Sequence, residues 1–319
     1  MLNKHQSIGV DIGGTHVACA AVDLRRGEIL EASRSRVVCD HASASEVIFQ
    51  RWAEALNGAL ALVDGAQLAG IGFAIPGPFE YRNGVSRMEH KFKSLYGVHI
   101  PTALNELLPS EAALPMRFVN DATAFAIGEA WRGEGQGFRK VVVITLGTGF
   151  GSAFVEDGAP VVSGGQVPGE GCLWHLPFKD GIADEYFSTR WFERAYRQHT
   201  GTSISGVKAL MEKAGADAFV KGLFAQFGRN LAGCLAPWLQ LFGAEMLVIG
   251  GNIAHALPLF EADFQAGLQS ADVSVKTAPS KLGEDAALLG SARLFDEAFW
   301  EKVSASLPHI WAGRLESYQ

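Results

Sequence analysis

Two short glycine turns, each lying between apolar segments of β-type composition, constrain the fold of this chain more than any other feature. The first is Val10–Thr15, which reads VDIGGT and is followed by an apolar run to Asp23. The second is Leu146–Gly151, which lies between the apolar runs Val141–Leu146 and Ser152–Val155. A single Gly-Gly turn fits an ordinary β-hairpin, whereas bare main-chain N–H groups in such a turn suit phosphate oxygens. Because the pattern occurs twice, the phosphate-binding interpretation is favoured and two related halves are expected.

Composition restricts the functional class. At 319 residues, with 48% hydrophobic residues, the chain is long enough for two domains and two cores. The net charge of −7 argues against nucleic acid or an anionic membrane surface as the main partner. No apolar run approaches the roughly 20 residues that span a bilayer, and Met1–Ser7 lacks the features of a signal peptide. A cytoplasmic location is therefore expected.

Strands and helices alternate along the chain, which predicts an α/β fold with a mixed sheet and helices on its faces. Strands are expected at Ser7–Asp11, Val17–Asp23 and Glu28–Val38, and a helix at Ser45–Val63. The pattern restarts with a strand at Lys140–Leu146, which favours an internal duplication. Later elements are predicted as helices at Asp184–His199 and Asp217–Leu241, a strand at Met246–Ile249, and a last helix from about Glu284 to Phe299.

The cysteines show no pairing typical of a metal site. None of them forms a CxxC pair, so buried free thiols are expected and a structural zinc site is not. His175 lies near Cys172, which leaves a metal open at that point. The cysteines are Cys19, Cys39, Cys172 and Cys234.

Polar residues that follow predicted strands are the candidates for chemistry. Asn120 and Asp121 come between a strand and a helix, so Asp121 is either the helix N-cap or a general base for phosphoryl transfer. Glu170 and His175 lie in a glycine-rich loop, which suits recognition of hydroxyl groups or is simply a solvated loop. Glu185 opens a helix, where an acid also complements the helix dipole.

Taken together, these motifs resemble the ROK family of sugar kinases. That family has the two-lobed actin/hexokinase/Hsp70-like ATPase fold, built from duplicated ribonuclease H-like domains. The resemblance extends over nearly the whole chain in the family's order. It is carried by Asp11–Thr15, Pro76–Pro78, Val119–Ala122, Thr145–Gly151, Gly164–Glu170 and Ile249–Asn252. It implies an N-terminal lobe of residues 1–121 plus about 288–319, and a C-terminal lobe of residues 122–287.

The resemblance also implies a role for each matching residue. Asp121 would be the catalytic base, and Asp11 would orient magnesium through water. The sugar would be bound by Asn120, Glu170, His175 and Glu185. The residues that would contact ATP are Gly13, Gly14, Thr15, Gly147, Thr148, Gly149, Gly250, Gly251 and Asn252.

The chain departs from the family pattern in two places. Glu170 and His175 are separated by four residues, a longer spacing than the family's Glu-x-Gly-His, and Leu176–Ala183 contains no cysteine. The cysteine-rich zinc motif is therefore missing and no zinc is expected. Lys91–Tyr96 also replaces the family's asparagine-tryptophan stretch, so the sugar specificity is expected to differ from that of ordinary glucokinases.

These observations predict an enzyme that transfers a phosphoryl group from ATP, with Mg²⁺, to a hexose or N-acylhexosamine. A non-catalytic sugar sensor of the same family is the alternative, although the first strand starts near Ser7 and leaves no room for a helix-turn-helix domain before it. Another ATPase of this fold is a third interpretation, against which the Glu170 loop argues. The sequence leaves open the sugar and a second phosphoryl donor such as polyphosphate. A homodimer is expected.

Overall fold

A computed structural model of the chain describes residues 4–109 and 113–307. The stretches 1–3, 110–112 and 308–319, which belong to the predicted N-terminal lobe, lie outside the described residues. By contacts, the chain divides into two compact units. Unit 1 consists of Met1–Gln136, Gly158–Val162 and Glu284–Gln319, and unit 2 of Gly137–Asp157 and Ser163–Gly283.

The described residues form the following strands and helices. The strands are β1 (Gln6–Ile12), β2 (His16–Asp23), β3 (Glu28–Ile29), β4 (Ser35–Val38), β5 (Leu68–Ile75), β6 (Phe79–Glu80), β7 (Val85–Ser86), β8 (Met116–Asn120), β9 (Lys140–Leu146), β10 (Phe150–Glu156), β11 (Ala159–Val161), β12 (Pro177–Phe178), β13 (Gly181–Ile182), β14 (Met246–Gly250) and β15 (Lys276–Pro279). The helices are α1 (Ser45–Leu60), α2 (Ile100–Asn105), α3 (Asp121–Arg132), α4 (Ala183–Tyr186), α5 (Thr189–Thr200), α6 (Gly206–Lys213), α7 (Ala218–Phe242), α8 (Leu257–Ser270), α9 (Asp285–Ala292) and α10 (Glu297–Val303). None of the helices in the described ranges is long and apolar enough to cross a membrane.

The two units repeat one strand arrangement. In unit 1 the strand order is β3-β2-β1-β5-β8, with β4 also paired to β2. Strands β1 and β2 are antiparallel, whereas β1, β5 and β8 are parallel. In unit 2, β9 and β10 are antiparallel and β9, β14 and β15 are parallel. Each unit therefore starts with an antiparallel hairpin, and the first strand of that hairpin also pairs with a parallel strand on its other side. The repeated glycine turns predict this repetition.

Glycines allow the chain's late helix α9 to pack onto the sheet and helix α3 of unit 1. A Cβ at Gly9 on β1 would overlap the carbonyl of Leu288, and a Cβ at Gly72 on β5 would overlap that of Ser291. Gly290 on α9 approaches the backbone of α3 in the same way. Because these positions lack side chains, the backbones come into direct contact, and α9 becomes part of the core of unit 1.

The core of unit 2 contains an aromatic cluster. Phe227 on the long helix α7 packs against Phe192 of α5, with ring centroids 4.8 Å apart, and against Phe260 of α8 at 5.1 Å. All three side chains are fully buried. Helices α5, α7 and α8 are thereby fixed relative to one another, and α5 supports the site described below.

Three predicted elements are wrong in their continuity. The predicted helix Asp184–His199 is divided into α4 and α5, because Phe187 and Ser188 between them leave the helical conformation. The predicted strand Glu28–Val38 is interrupted at Glu31–Ser33, where the buried Ser33 hydroxyl accepts a hydrogen bond from Ala21 N at 2.8 Å and the chain turns. The predicted last helix is divided between α9 and α10 because Asp296 caps α10, accepting from Phe299 N at 3.2 Å. The predicted lobe boundary after Asp121 stays a prediction, and helix α3, which follows it, lies within unit 1.

Candidate active site

The first glycine turn joins β1 to β2 in unit 1. Gly13 N–H donates to His16 O at 3.0 Å and closes the turn, while His41 N–H donates to Gly14 O at 3.3 Å from the far side. Gly14 and Thr15 are left at the tip between these contacts. The turn is thus held at its base, and its tip is formed by small residues that a ligand can approach closely.

Asp11 lies at the carboxyl end of β1, immediately before this turn. Burial, as the largest cause, and the negative charges of Asp121 and Glu284 together raise the pKa of Asp11 to about 7, although Arg36 opposes them. Arg36 is itself paired with Glu284 at 2.6 Å, so part of its charge is already neutralised. More negative than positive charge therefore acts on Asp11, which favours a bound cation.

Strand register brings Asp11 and Asn120 to the same edge of the unit 1 sheet. Asp11 pairs with Ala74 on β5, and the next residue, Ile75, pairs with Asn120 on β8. Because β1, β5 and β8 are parallel, their carboxyl ends lie at one edge, where ligands of open α/β sheets bind. The electrostatic effect of Asp121 on Asp11 agrees with this placement.

Asn120, and not Asp121, is the N-cap of helix α3. Its side-chain oxygen accepts from Ala122 N at 3.1 Å and Thr123 N at 3.3 Å, and its amide group donates to Tyr81 Oη at 3.4 Å. Asp121 is the first helical residue, and one of its oxygens accepts from Ala122 N at 2.9 Å. Within the described residues the second oxygen, Oδ2, makes no hydrogen bond. The N-cap interpretation of Asp121 is therefore wrong, because the neighbouring amide takes that place.

The second and third glycine turns lie side by side in unit 2. Strand β14 runs parallel to β9, so that Gly250 pairs with Thr145. Gly251 has a φ of +81°, and a Cβ at this position would lie 2.7 Å from Leu146 N and overlap Leu146 O. Asn252 then begins a short 3-10 turn at the exposed end of β14. Only glycine fits where the third turn passes over the end of β9.

Thr189, at the start of helix α5, holds the second glycine turn. Gly147 O accepts from Thr189 N at 2.8 Å and from Thr189 Oγ1 at 3.0 Å. Gly147 N in turn donates to Gly149 O at 3.0 Å, while Thr148 is exposed at the tip. As in unit 1, the base of the turn is fixed and its tip is accessible.

The loop that carries Glu170 is attached to β10 by a buried serine. Ser152 Oγ donates to Gly171 O and accepts from Leu173 N, both at 2.8 Å. Glu170 itself has a φ of +61°, within the left-handed region. The loop is therefore anchored to β10, and its recognition of hydroxyl groups stays a prediction.

His175 and Glu185 lie on segments that are hydrogen-bonded to each other. The carbonyls on either side of His175, those of Trp174 and Leu176, accept from Asp184 N at 2.9 Å and from Ala183 N at 3.0 Å. Burial lowers the pKa of His175, so its imidazole is neutral at neutral pH. A neutral imidazole has one donor and one acceptor nitrogen, as recognition of hydroxyl groups requires.

Glu185 also serves its own helix in this structure. Its carboxylate accepts from Ile182 N at 3.1 Å and closes over Gly181. The interpretation that Glu185 stabilises a helix start is thus supported by a contact.

The sequence analysis does not identify several residues that contact the predicted site residues or the glycine turns, because no motif includes them. They are Arg36, Tyr81, Ser152, Asp184, Thr189 and Glu284.

Within the described ranges, no group of three or more His, Cys, Asp or Glu side chains is arranged to hold a metal ion. The described cysteines are all free thiols. The predicted absence of zinc stays a prediction. Asp11 is the carboxylate whose surroundings favour a cation.

The sequence is similar to a known protein family and to known sugar kinases. The model of the ROK family matches residues 7–298. The chain is 28% identical to a glucokinase of Thermotoga maritima, with 92% of this chain and 98% of the relative covered. It is 26% identical to an N-acetyl-D-glucosamine kinase of Mannheimia succiniciproducens, with 90% and 98% covered.

A solved structure supports the fold. The ROK family glucokinase of Streptomyces griseus, in complex with glucose and AMPPNP, superimposes with a TM-score of 0.73 at 23% identity, covering 92% of this chain and 99% of the other. The predicted fold class, an α/β two-lobed actin/hexokinase-like ATPase fold, is confirmed by this likeness. With a family model that spans nearly the whole sequence and a fold that agrees, the chain belongs to the ROK family.

Proposed function

We propose that this chain is an ATP-dependent sugar kinase, which transfers the γ-phosphoryl group of ATP to a hydroxyl of a hexose or an N-acylhexosamine. The observation that carries the proposal is the free Oδ2 of Asp121 beside Asp11 at the carboxyl edge of the unit 1 sheet. Asn120 caps helix α3, so the Asp121 carboxylate is available to take a proton. The glucokinase and N-acetylglucosamine kinase relatives support the same activity.

In this mechanism Asp121 accepts the proton of the sugar hydroxyl as that oxygen attacks the γ-phosphorus. The Asn120 amide group, fixed by its contacts with α3 and Tyr81, donates to the sugar and orients it. Proximity and orientation account for much of the barrier reduction in phosphoryl transfer. Asp121 therefore needs only to be ionised and within hydrogen-bond distance of the hydroxyl.

The phosphates of ATP are bound by the main-chain N–H groups of the first two glycine turns, at Gly13–Thr15 and Gly147–Gly149. Gly250, Gly251 and Asn252 line the adenosine. Bound magnesium would neutralise the phosphate oxygens in the transition state. Asp11 suits it, because magnesium takes one or two carboxylates together with water and phosphates, and because the negative charges of Asp121 and Glu284 act on Asp11.

Glu170, His175 and Glu185 bind further sugar hydroxyls. His175 contributes as a neutral donor and acceptor, and Glu170 is presented by the loop that Ser152 anchors. Glu185 exchanges its contact with Ile182 N for a hydroxyl of similar hydrogen-bonding strength. The departure at Lys91–Tyr96 from the family pattern affects sugar choice.

A kinase assay that measures ADP formation across glucose, mannose, N-acetylglucosamine and N-acetylmannosamine tests the proposal. We expect ADP release that depends on at least one of these sugars and on magnesium. Polyphosphate in place of ATP, with sugar phosphate as the readout, tests the second donor. Sugar binding by calorimetry without turnover of any sugar by either donor would contradict the proposal and identify a sugar sensor.

A further inference from the structure

Asp184 is at the junction of three segments in unit 2, and the proposed mechanism gives it no role. It lies in the first turn of the short helix α4, immediately before Glu185. Its side chain is 21% exposed. Its carboxylate and its main-chain amide contact different segments of the unit.

The carboxylate of Asp184 holds the second glycine turn. Its Oδ1 accepts from Phe150 N at 2.7 Å, and a Cβ at Gly149 would lie 3.2 Å from the same oxygen. Phe150 is the first residue of β10 after the turn. Together with Thr189, which holds Gly147 on the other side, Asp184 fixes both ends of the turn.

The second carboxylate oxygen of Asp184 pairs with the guanidinium of Arg190 on helix α5. Because Arg190 follows Thr189 directly, both tethers of the turn are anchored near the start of one helix. The aromatic core of unit 2 fixes that helix through Phe192. The ion pair therefore orients the Asp184 carboxylate towards Phe150 N.

The main chain of Asp184 is joined to the predicted sugar-binding segments. Its N–H donates to Trp174 O at 2.9 Å, next to His175. Glu185 is the next residue in the sequence. One residue thus connects the turn proposed to bind phosphate with two residues proposed to bind sugar. A displacement of His175 or Glu185 moves the Asp184 backbone and hence its carboxylate.

We propose that Asp184 is a positioning residue that holds the second glycine turn in its nucleotide-binding conformation and links it to the sugar-binding segments, so that sugar strengthens nucleotide binding. This proposal rests on the proposed kinase function for the identity of the two ligands. Loss of a charge-assisted hydrogen bond to the turn is expected to weaken nucleotide binding at least about tenfold. Because linkage is reciprocal, the nucleotide strengthens sugar binding by the same factor.

Calorimetry with AMPPNP and magnesium, with and without saturating sugar, tests the proposal. The sugar is the one that the wild-type chain phosphorylates fastest, or glucose if it phosphorylates none. For the wild type we expect sugar to lower the Kd of AMPPNP by about fivefold or more. For Asp184→Ala we expect a Kd without sugar at least about tenfold higher and no further effect of sugar.

Asp184→Asn separates positioning from a general loss of stability. The Asn side-chain oxygen can still accept from Phe150 N, so its AMPPNP affinity should lie within about threefold of the wild type, with the coupling partly restored. If Asp184→Ala does not fold, Asp184→Ser replaces it, since serine is well tolerated near a helix start and is too short to reach Phe150 N. The matched control is Asp263→Ala, which removes an ion pair with Arg229 in the same unit and should leave AMPPNP affinity and coupling unchanged.

Unchanged AMPPNP affinity in Asp184→Ala, or in its serine replacement, would overturn the proposal. A wild-type chain whose AMPPNP affinity does not respond to sugar would overturn the proposed link to the sugar segments. A wild-type chain that binds AMPPNP but phosphorylates no sugar contradicts the proposed function instead, and the comparison of AMPPNP affinities without sugar still decides the role of Asp184 at the turn.

Discussion

Asn120 and Asp121 are adjacent polar residues that could each cap helix α3 and could each contact a substrate. The structure divides these tasks by backbone geometry. Asn120 has the extended conformation of an N-cap, whereas Asp121 already belongs to the helix. The amide side chain therefore satisfies the helix N–H groups, and a carboxylate oxygen remains available for proton transfer.

Replacing this carboxylate is the first prediction. Asp121→Asn should lower kcat by about 10²–10⁴-fold, because a general base is lost, while Asn can still accept from Ala122 N. Sugar affinity measured by calorimetry should stay within about threefold of the wild type, since the interaction is needed mainly in the transition state. Asp263→Asn serves as the control with unchanged kcat. Wild-type turnover by Asp121→Asn would remove Asp121 from the mechanism.

Because of Cys19, the free energy of unfolding is expected to decrease as the pH rises in the alkaline range. Burial raises the pKa of its thiol to about 12, and the thiol donates to Ala55 O at 3.0 Å. In the unfolded chain the thiol pKa is about 8.5. Below that pH both states hold the proton, whereas between about pH 9 and 12 only the folded state does. The free energy of unfolding should therefore fall by about 1.4 kcal/mol per pH unit in this window because of Cys19.

Urea unfolding of wild type and Cys19→Ala at pH 8, 9.5 and 10.5 measures this contribution. Tyrosines, lysines and the other cysteines titrate in both proteins, so the difference between the two slopes isolates Cys19. The slope of the wild type should be steeper by about 1.4 kcal/mol per pH unit. Parallel slopes would show that the Cys19 thiol ionises as easily in the folded chain as in the unfolded one.

Among the elements, the third glycine turn has a steric constraint that one substitution can test. Gly251→Ala places a Cβ against the main chain of Leu146 at a φ that L-residues rarely adopt. We expect a loss of about 2 kcal/mol or more in the free energy of unfolding and at least about tenfold weaker AMPPNP binding, because the third turn is displaced. Denaturant unfolding and calorimetry give the two quantities.

Gly233→Ala is the matched control for that substitution. Gly233 lies on the exposed side of helix α7, and a Cβ there meets no atom within 4 Å. Alanine should stabilise the helix by up to about 1 kcal/mol without changing AMPPNP affinity. Equal effects of the two substitutions would mean that the turn tolerates a side chain and that its shape does not depend on glycine.

The positions of these turns could be predicted from the sequence, because apolar strand segments and adjacent glycines are local signals. The interruption at Ser33 could not, since it depends on a hydrogen bond to Ala21 on another strand. The place of α9 in unit 1 likewise depends on backbone contacts between distant glycines such as Gly72 and Gly290. Asp184 carries no motif, and its contacts arise only when three separate segments meet.

At the scale of the whole molecule, the net charge favours the kinase over a sugar sensor that binds DNA. The chain has a formal net charge of −7. Several of its arginines are also paired with carboxylates, as in the ion pairs of Arg34 with Asp285, Arg87 with Glu80 and Arg139 with Glu156. A surface with this balance offers little net attraction to a polyanion, whose binding depends on releasing counterions from phosphates.

We therefore expect no appreciable binding of this chain to DNA. Fluorescence anisotropy of a labelled 30-base-pair duplex should not change with up to about 10 μM protein at low salt, with or without sugar, because non-specific DNA binding needs several cationic contacts. A basic protein titrated into the same duplex controls for the signal. Saturable binding that weakens steeply with salt, or that responds to sugar, would favour a sugar-sensing regulator over an enzyme. The absence of binding, together with sugar-dependent ADP formation, leaves phosphoryl transfer as the activity that the site supports.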